Sequence, residues 1–222
     1  MAAKADNRSK DRLSRPLILK TALGLAQDQG FDISMRQLAE ALSVWPMALY
    51  RYFDNREDLE LAMVDSILGE IIEQPQSAWL ARGASDDWQK DITDFAKHLF
   101  SVLTNYPGAA QALLFGRLTS VNSQKIVIAA IDILRSVGLS ERRSVEVFQT
   151  IGSYLLNAAM LEDARRKGLA SSAGIVDPEN TTIDERARGY FRQLAEIHGE
   201  ERLVAGLTML LRSLEEEVGP LD

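Results

Sequence analysis

The chain has 222 residues, 46% of them apolar, enough to fill a sizeable core and to exclude disorder for its bulk. It contains no Cys and two His, which removes disulfides, thiolate metal sites and cysteine nucleophiles and leaves little for a histidine-based metal centre. Residues 1–56 hold nine Lys/Arg against six Asp/Glu, a net +3 within a chain of net −7, so the remainder carries −10. A mildly basic head on an acidic body predicts that only the head meets a polyanion. The longest stretch free of Lys, Arg, Asp and Glu, His98 to Gly116, is broken by Asn105-Tyr106-Pro107-Gly108, and the apolar run Val147 to Leu161 has 15 residues against the ~20 that span a bilayer. Lys4, Arg8, Lys10, Arg12 and Arg15 alternate with Asp6 and Asp11, without the apolar segment of a secretory signal. A cytoplasmic protein with no membrane partner is expected.

The apolar residues recur at helical spacing, and no stretch alternates as a strand does, so the expected fold is all-α. Residues 1–13 read as a flexible basic arm. Ser14 caps a first helix with Pro16 in its first turn, Ile18, Ala22, Leu25 and Ala26 on its inner face and Gly30 at its end. Ser34-Met35-Arg36-Gln37 is a capping box that opens a second helix, which closes near Leu42. After Ser43-Val44-Trp45, Pro46 starts a two-turn helix to about Tyr52, and Asp54-Asn55 caps a fourth from Arg56 to Glu73. Pro75 and the weak segment 76–85 mark a boundary, which divides the chain into a helix-turn-helix domain (14–56), a connecting helix (57–75) and a helical body (76–222). In the body, helices are expected near Asp87–Asn105, Ala109–Thr119, Ser123–Val137, Glu141–Arg166, Ile183–Ile197 and Glu200–Val218, with a long polar loop from Gly168 to Asp184.

Two short helices joined by a tight turn are a candidate DNA reader. Leu38, Leu42, Val44, Leu49 and Phe53 can pack on Ile18, Leu25 and Phe31, leaving Trp45, Met47, Ala48, Arg51 and Tyr52 outside. A third helix ~10 Å long suits a major groove ~12 Å wide. The run Ser34-Met35-Arg36-Gln37-Leu38-Ala39, then Leu42, Val44, Ala48-Leu49-Tyr50-Arg51-Tyr52-Phe53 and Leu59, resembles the tetracycline-repressor family. The body resembles that family's C-terminal domain more loosely, through Asp87-Trp88, Tyr106-Pro107, Gly138-Leu139-Ser140 and Leu207 to Leu214.

The resemblance implies a homodimeric transcriptional regulator, in most members a repressor, whose body dimerises and binds a small ligand. It implies that Ser34 meets a phosphate at a helix start and that Arg36 reaches a base edge or a phosphate. Tyr50 and Tyr52 would meet backbone oxygens, and Arg56 a phosphate. Pro46, Met47 and Ala48 would face the groove, the last two against thymine methyl groups, with Arg51 beside them. Simpler roles stand next to these: Ser34 as a cap, Tyr50 as core, Arg51 as a solvated charge. Ser43 stands where the family has Gly, so a left-handed turn there costs ~1 kcal/mol or more. Trp45 occupies a cap position that its indole cannot serve, and either stacks on or donates to the DNA backbone or packs on a neighbour.

In the body, two apolar helices predict a four-helix dimer interface from Phe148, Ile151, Leu155, Ala159, Leu203, Leu207, Leu210 and Leu214. Trp88, Phe95, Phe100, Phe115 and Phe148, with Tyr154 and Asn157 as polar handles, are the expected effector pocket, and the acidic body favours a neutral or cationic ligand. No cofactor or metal is expected. His198-Gly199-Glu200 lacks the Cys ligands of a zinc deaminase, and His98, with Asp94 four residues before it, has no nucleophile or metal-ligand spacing beside it. The expected function is a repressor released from its double-stranded DNA operator by a small molecule. The alternatives are a helix-turn-helix protein controlled by a protein partner, or an all-helical enzyme or carrier.

Overall fold

The computed structural model describes residues 13–83, 85–116, 119–168, 185–215 and 217–218. The arm expected before Leu13 and the polar loop expected after Gly168 lie outside them. All regular structure among the described residues is helical. Helix α1 (Arg15–Gln29) starts at Ser14, whose hydroxyl accepts from the Leu17 amide, and stops at Gly30 with φ +87°. Its buried face is Ile18, Ala22, Leu23 and Ala26, so Leu23 takes the inner place expected for Leu25. Helix α2 (Met35–Ala41) carries both halves of the Ser34–Gln37 capping box. Helix α3 (Pro46–Leu49) is a single turn, shorter than the two expected, and α4 (Arg56–Ile72) starts on the Asn55 cap.

The segment expected to mark the boundary between head and body is folded. A 3-10 turn (Pro75–Ser77) and α5 (Trp79–Arg82) follow α4, and the buried Ser77 hydroxyl donates to the Ile71 carbonyl at 2.6 Å. The body continues with α6 (Trp88–Thr104), α7 (Ala109–Phe115), α8 (Val121–Ser136), α9 (Glu141–Arg166), α10 (Glu185–Glu196) and α11 (Gly199–Arg212). Ser120, not a later residue, caps α8, because its hydroxyl reaches the Ser123 amide. Helix α11 ends six residues before the expected Val218. There the chain turns so that Leu214 is buried and Glu217 makes a two-bonded pair with Arg143 on α9, at 2.8 and 2.7 Å.

Head and body share one core: Ile18, Leu38, Leu49 and Phe53 continue through Leu59, Met63 and Ile67 on α4 into Phe95, Leu99, Leu155, Leu203 and Leu207. At the surface they meet where Phe31, after α1, donates its amide to the Pro107 carbonyl at 2.7 Å. Two glycines with positive φ make that approach possible. A Cβ on Gly108 (φ +91°) would stand 3.1 Å from the Phe31 Cβ, and one on Gly30 would stand 3.2 Å from the Pro107 oxygen. The end of α9 supports this clasp from behind: Asp163 accepts from the Gly108 amide at 3.1 Å, and Arg166 donates to the Thr104 carbonyl at 2.6 Å. Arg165 and Arg166 both bond the buried carboxylate of Glu162, and these bonds, Arg165 first, hold it below the ordinary carboxylate range against the effect of burial. A second tie joins α4 to α8, where Asn122 donates its backbone amide to the Asp65 carboxylate (2.9 Å) and its side-chain amide to the Asp65 carbonyl (3.0 Å).

Candidate nucleic-acid interface and body cavity

The turn between α2 and α3 is set by backbone closure rather than by residue preference. The Ser43 amide donates to the Glu40 carbonyl (3.0 Å) and the Val44 amide to the Ala39 carbonyl (2.9 Å). That closure puts Ser43 at φ +54°, the only positive φ outside glycine among the described residues. The left-handed region costs a non-glycine residue ~1–2 kcal/mol, and the buried Leu38, Ala39, Leu49 and Phe53 hold the turn against it.

The solvent side of the motif carries large apolar side chains: Trp45 is 84% exposed, Met47 74% and Tyr50 44%. Trp45 caps α3 by backbone position alone and makes no side-chain cap bond. Pro46 and Ala48 are half-buried. Arg36 and Arg51 are exposed, with no hydrogen-bond or ion-pair partner among the described residues.

The other expected contacts already have partners. Ser34 accepts from the Gln37 amide (3.2 Å) and donates to the Gln37 side chain (2.6 Å). Tyr52 is half-buried, and its hydroxyl donates to the Leu13 carbonyl at 2.6 Å, so its one proton is engaged. Arg56 pairs with Asp32 (2.5 Å) and Glu60 (2.7 Å). Burial lowers its pKa, but the hydrogen bonds and charges of those two carboxylates outweigh that and raise it. Arg15, in the first turn of α1, lies 4.2 Å over the Phe53 ring and donates to the Tyr52 carbonyl. It fixes the end of the motif. The Asp32–Arg56 pair had no sequence signal, since it joins residues 24 apart on either side of α2 and α3.

In the body, α6, α8 and α9 enclose a cavity of about 300 Å³, closed on one side by Leu68 of α4. None of its lining residues is ionisable, and its polar groups are Ser123, Gln149 and Ser153. Gln149 and Ser153 are also exposed, so the cavity opens beside them.

Of the pocket residues expected from sequence, Phe95 and Phe148 line this cavity and five do not. Phe100 lies five residues from Phe95, ~140° round the helix, and is buried elsewhere in the core. Trp88 belongs to a separate cluster with Leu134, Val137 and Leu211. Phe115 is 74% exposed, Asn157 is exposed, and Tyr154 turns its hydroxyl to the Arg202 carbonyl at 2.6 Å. Burial raises the Tyr154 phenol above its ordinary pKa.

Of the residues expected at the dimer interface, five are buried in one chain and three keep part of their surface. Leu155, Ala159, Leu203, Leu207 and Leu214 are buried within a single chain, because α6, α9 and α11 close their apolar stripes on one another. Phe148, Ile151 and Leu210 are half-buried, the first two against the cavity. What α9 and α11 leave outside is a different strip: Val145, Gln149, Ser153 and Asn157 at four-residue spacing, with Ala205, Thr208 and the 74%-exposed Met209. Asp94 does not orient His98, since it pairs with Lys90 on the other side of the turn. Among the described residues there is no cluster of three or more His, Cys, Asp or Glu that could hold a metal, and no helix long and apolar enough to cross a membrane.

A helix-turn-helix with two free guanidinium groups, joined through one long helix to a helical body with an apolar cavity, defines a DNA-binding transcriptional regulator. Residues 18–63 match the bacterial regulatory proteins of the tetR family, and residues 82–202 match the tetracyclin repressor-like C-terminal domain. The chain belongs to the tetracycline-repressor family. It is 25% identical over 167 residues to the class A tetracycline repressor protein from transposon 1721 of Escherichia coli, covering 75% of this chain and 74% of that one. A possible TetR family transcriptional regulator from Streptomyces coelicolor superposes with TM-score 0.77 at 22% identity, covering 91% of this chain and 99% of that one. ActR of the same organism, solved in complex with actinorhodin, gives TM-score 0.75 at 19% identity over 96% and 100%.

Proposed function

We propose that the protein is a homodimeric, cytoplasmic repressor, and not an enzyme, that leaves a two-fold operator when an uncharged, largely apolar molecule enters the body cavity. The observation that carries this reading is that the cavity wall includes α4, the helix that starts at the head: Leu68 lines the cavity, and Asp65 one turn earlier is tied to α8 through Asn122. A ligand that spreads α8 from α9 therefore displaces α4 and, with it, the recognition surface. A charged ligand would lose its hydration without gaining a partner among these residues, which narrows the expectation of a neutral or cationic effector to a neutral one. The relatives support the scheme, since one carries repression in its name and another holds actinorhodin in its crystal.

Dimerisation places two copies of the motif on successive major grooves ~34–36 Å apart. The outward strip of α9 and α11, with Met209 at its centre, is the proposed interface. The test is a screen of uncharged compounds for displacement of Nile red from the protein, followed by an anisotropy assay on a labelled operator. Compounds that displace the dye are expected to release the operator. Displacement without any release would contradict the scheme.

A further inference from the structure

We infer that the recognition helix reads thymine through its methyl group and that Arg36 and Arg51 read guanine; this rests on the DNA-binding reading above. The outer face of α3 and its flanks carries the exposed Trp45, Met47, Tyr50 and Arg51 and the half-buried Ala48, and it holds no carboxylate and no side-chain amide. The bidentate reader of adenine in the major groove is a side-chain amide, and the strong acceptor for the cytosine amino group is a carboxylate. The amides close to the motif are engaged elsewhere. Gln37 accepts from the Ser34 amide at 2.9 Å and donates to Gln29, and Asn55 accepts from the Asp58 amide at 2.8 Å.

What remains on α3 is an apolar front of Met47, Ala48 and the Trp45 indole, for which the thymine methyl is the only apolar group in the groove. The guanidinium groups of Arg36 and Arg51, unlike those of Arg15 and Arg56, have no partner among the described residues. They reach guanine O6 and N7 without first breaking an ion pair. Each half-site is therefore an A·T block beneath Met47 and Ala48, with guanine at its edges.

The experiment is a binding selection from random duplexes with the full-length protein, followed by replacement of each selected thymine by uracil, which removes only the 5-methyl group. Loss of affinity of about fourfold per methyl is expected at the central pairs, the size of withdrawing one methyl-sized apolar group. Met47→Ala should abolish the penalty at one thymine and leave the others, and its exposed position makes it safe for folding. Replacing that T·A pair by 5-methylcytosine·G should restore part of the affinity. Arg36→Ala should lower the preference for guanine at one edge position by about 5- to 150-fold. Enriched duplexes with G·C centres, or thymines whose conversion to uracil costs nothing, would overturn the inference while leaving DNA binding intact. No enrichment of any sequence would overturn the DNA-binding reading and this inference with it.

Discussion

Head and body treat their large apolar side chains in opposite ways. The head buries Phe31 and Phe53 but gathers Trp45, Met47 and Tyr50 outside on one short helix and its flanks, where their exposure contributes nothing to the fold. The body scatters its exposed apolar side chains, Phe115, Val121, Ile128, Tyr190 and Met209 among them, over several helices and turns the stripes of α9 and α11 inward, so that Leu203 and Leu207, expected at the interface, have no exposure at all in one chain. The same chemistry thus has two meanings. Exposed bulk on the head marks a surface for a partner, whereas bulk on the body helices marks a core with a cavity inside it.

The largest effect should come from putting the same charge into each region. Leu207→Glu places a carboxylate where no water or cation reaches it, at a cost of several kcal/mol, so thermal unfolding should fall steeply or the protein should not fold. Met47→Glu should leave the melting temperature within a degree or two of the parent and remove operator binding, because it sets a negative charge against the phosphates. A folded, monomeric Leu207→Glu would return that residue to the dimer interface.

An intermediate effect is expected at the clasp between the two regions. Glu162→Gln removes the charge that Arg165 and Arg166 bond and should cost about 1–3 kcal/mol, read by denaturant titration. The pH dependence follows from the same contacts. The folded-state pKa of Glu162 is depressed, so the unfolded chain takes up the proton first as pH falls. The stabilisation is present above the ordinary carboxylate pKa and is lost below it, toward the folded-state value. The acid limb of the parent's stability curve should therefore be steeper than that of Glu162→Gln.

Much of the head was legible because its determinants are local. Ser14, the Ser34–Gln37 box, Pro46 and Asn55 each fix a helix start within four residues, and the strain at Ser43 follows from the turn they bracket. The body's helices were legible for the same reason, through Asp87, Gly108 and Ser140. Its cavity was not. Which of Phe95 and Phe100 faces the cavity depends on how α6, α8 and α9 rotate against one another, and that is set by packing over separations of fifty residues. The apolar stripe of α11 was misplaced for the same reason, since periodicity shows that a face is covered but not by what.

Smaller effects sharpen the head. Asp32→Asn combined with Glu60→Gln frees Arg56 and should raise operator affinity by about two- to fivefold at low salt, the size of a weak surface ion pair, with the gain fading as salt rises. Glu57→Gln, in the same turn of α4, is the control for general charge and should give less. Ser43→Gly relieves the positive φ, offset in part by the greater freedom of glycine in the unfolded chain, and should raise stability by about 0.5–1 kcal/mol. A loss of stability there would mean that the Ser43 side chain supports the turn.

Under the proposed function, the apolar cavity of the body and the apolar front of the head are two ends of one equilibrium. Isothermal calorimetry of a dye-displacing compound, against the free protein and against the protein saturated with its selected operator, tests it most directly. Coupling requires that the operator weaken the compound by the same factor by which the compound weakens the operator, about 5- to 150-fold for a typical linkage of ~1–3 kcal/mol. Equal affinity for the compound with and without operator would contradict the account.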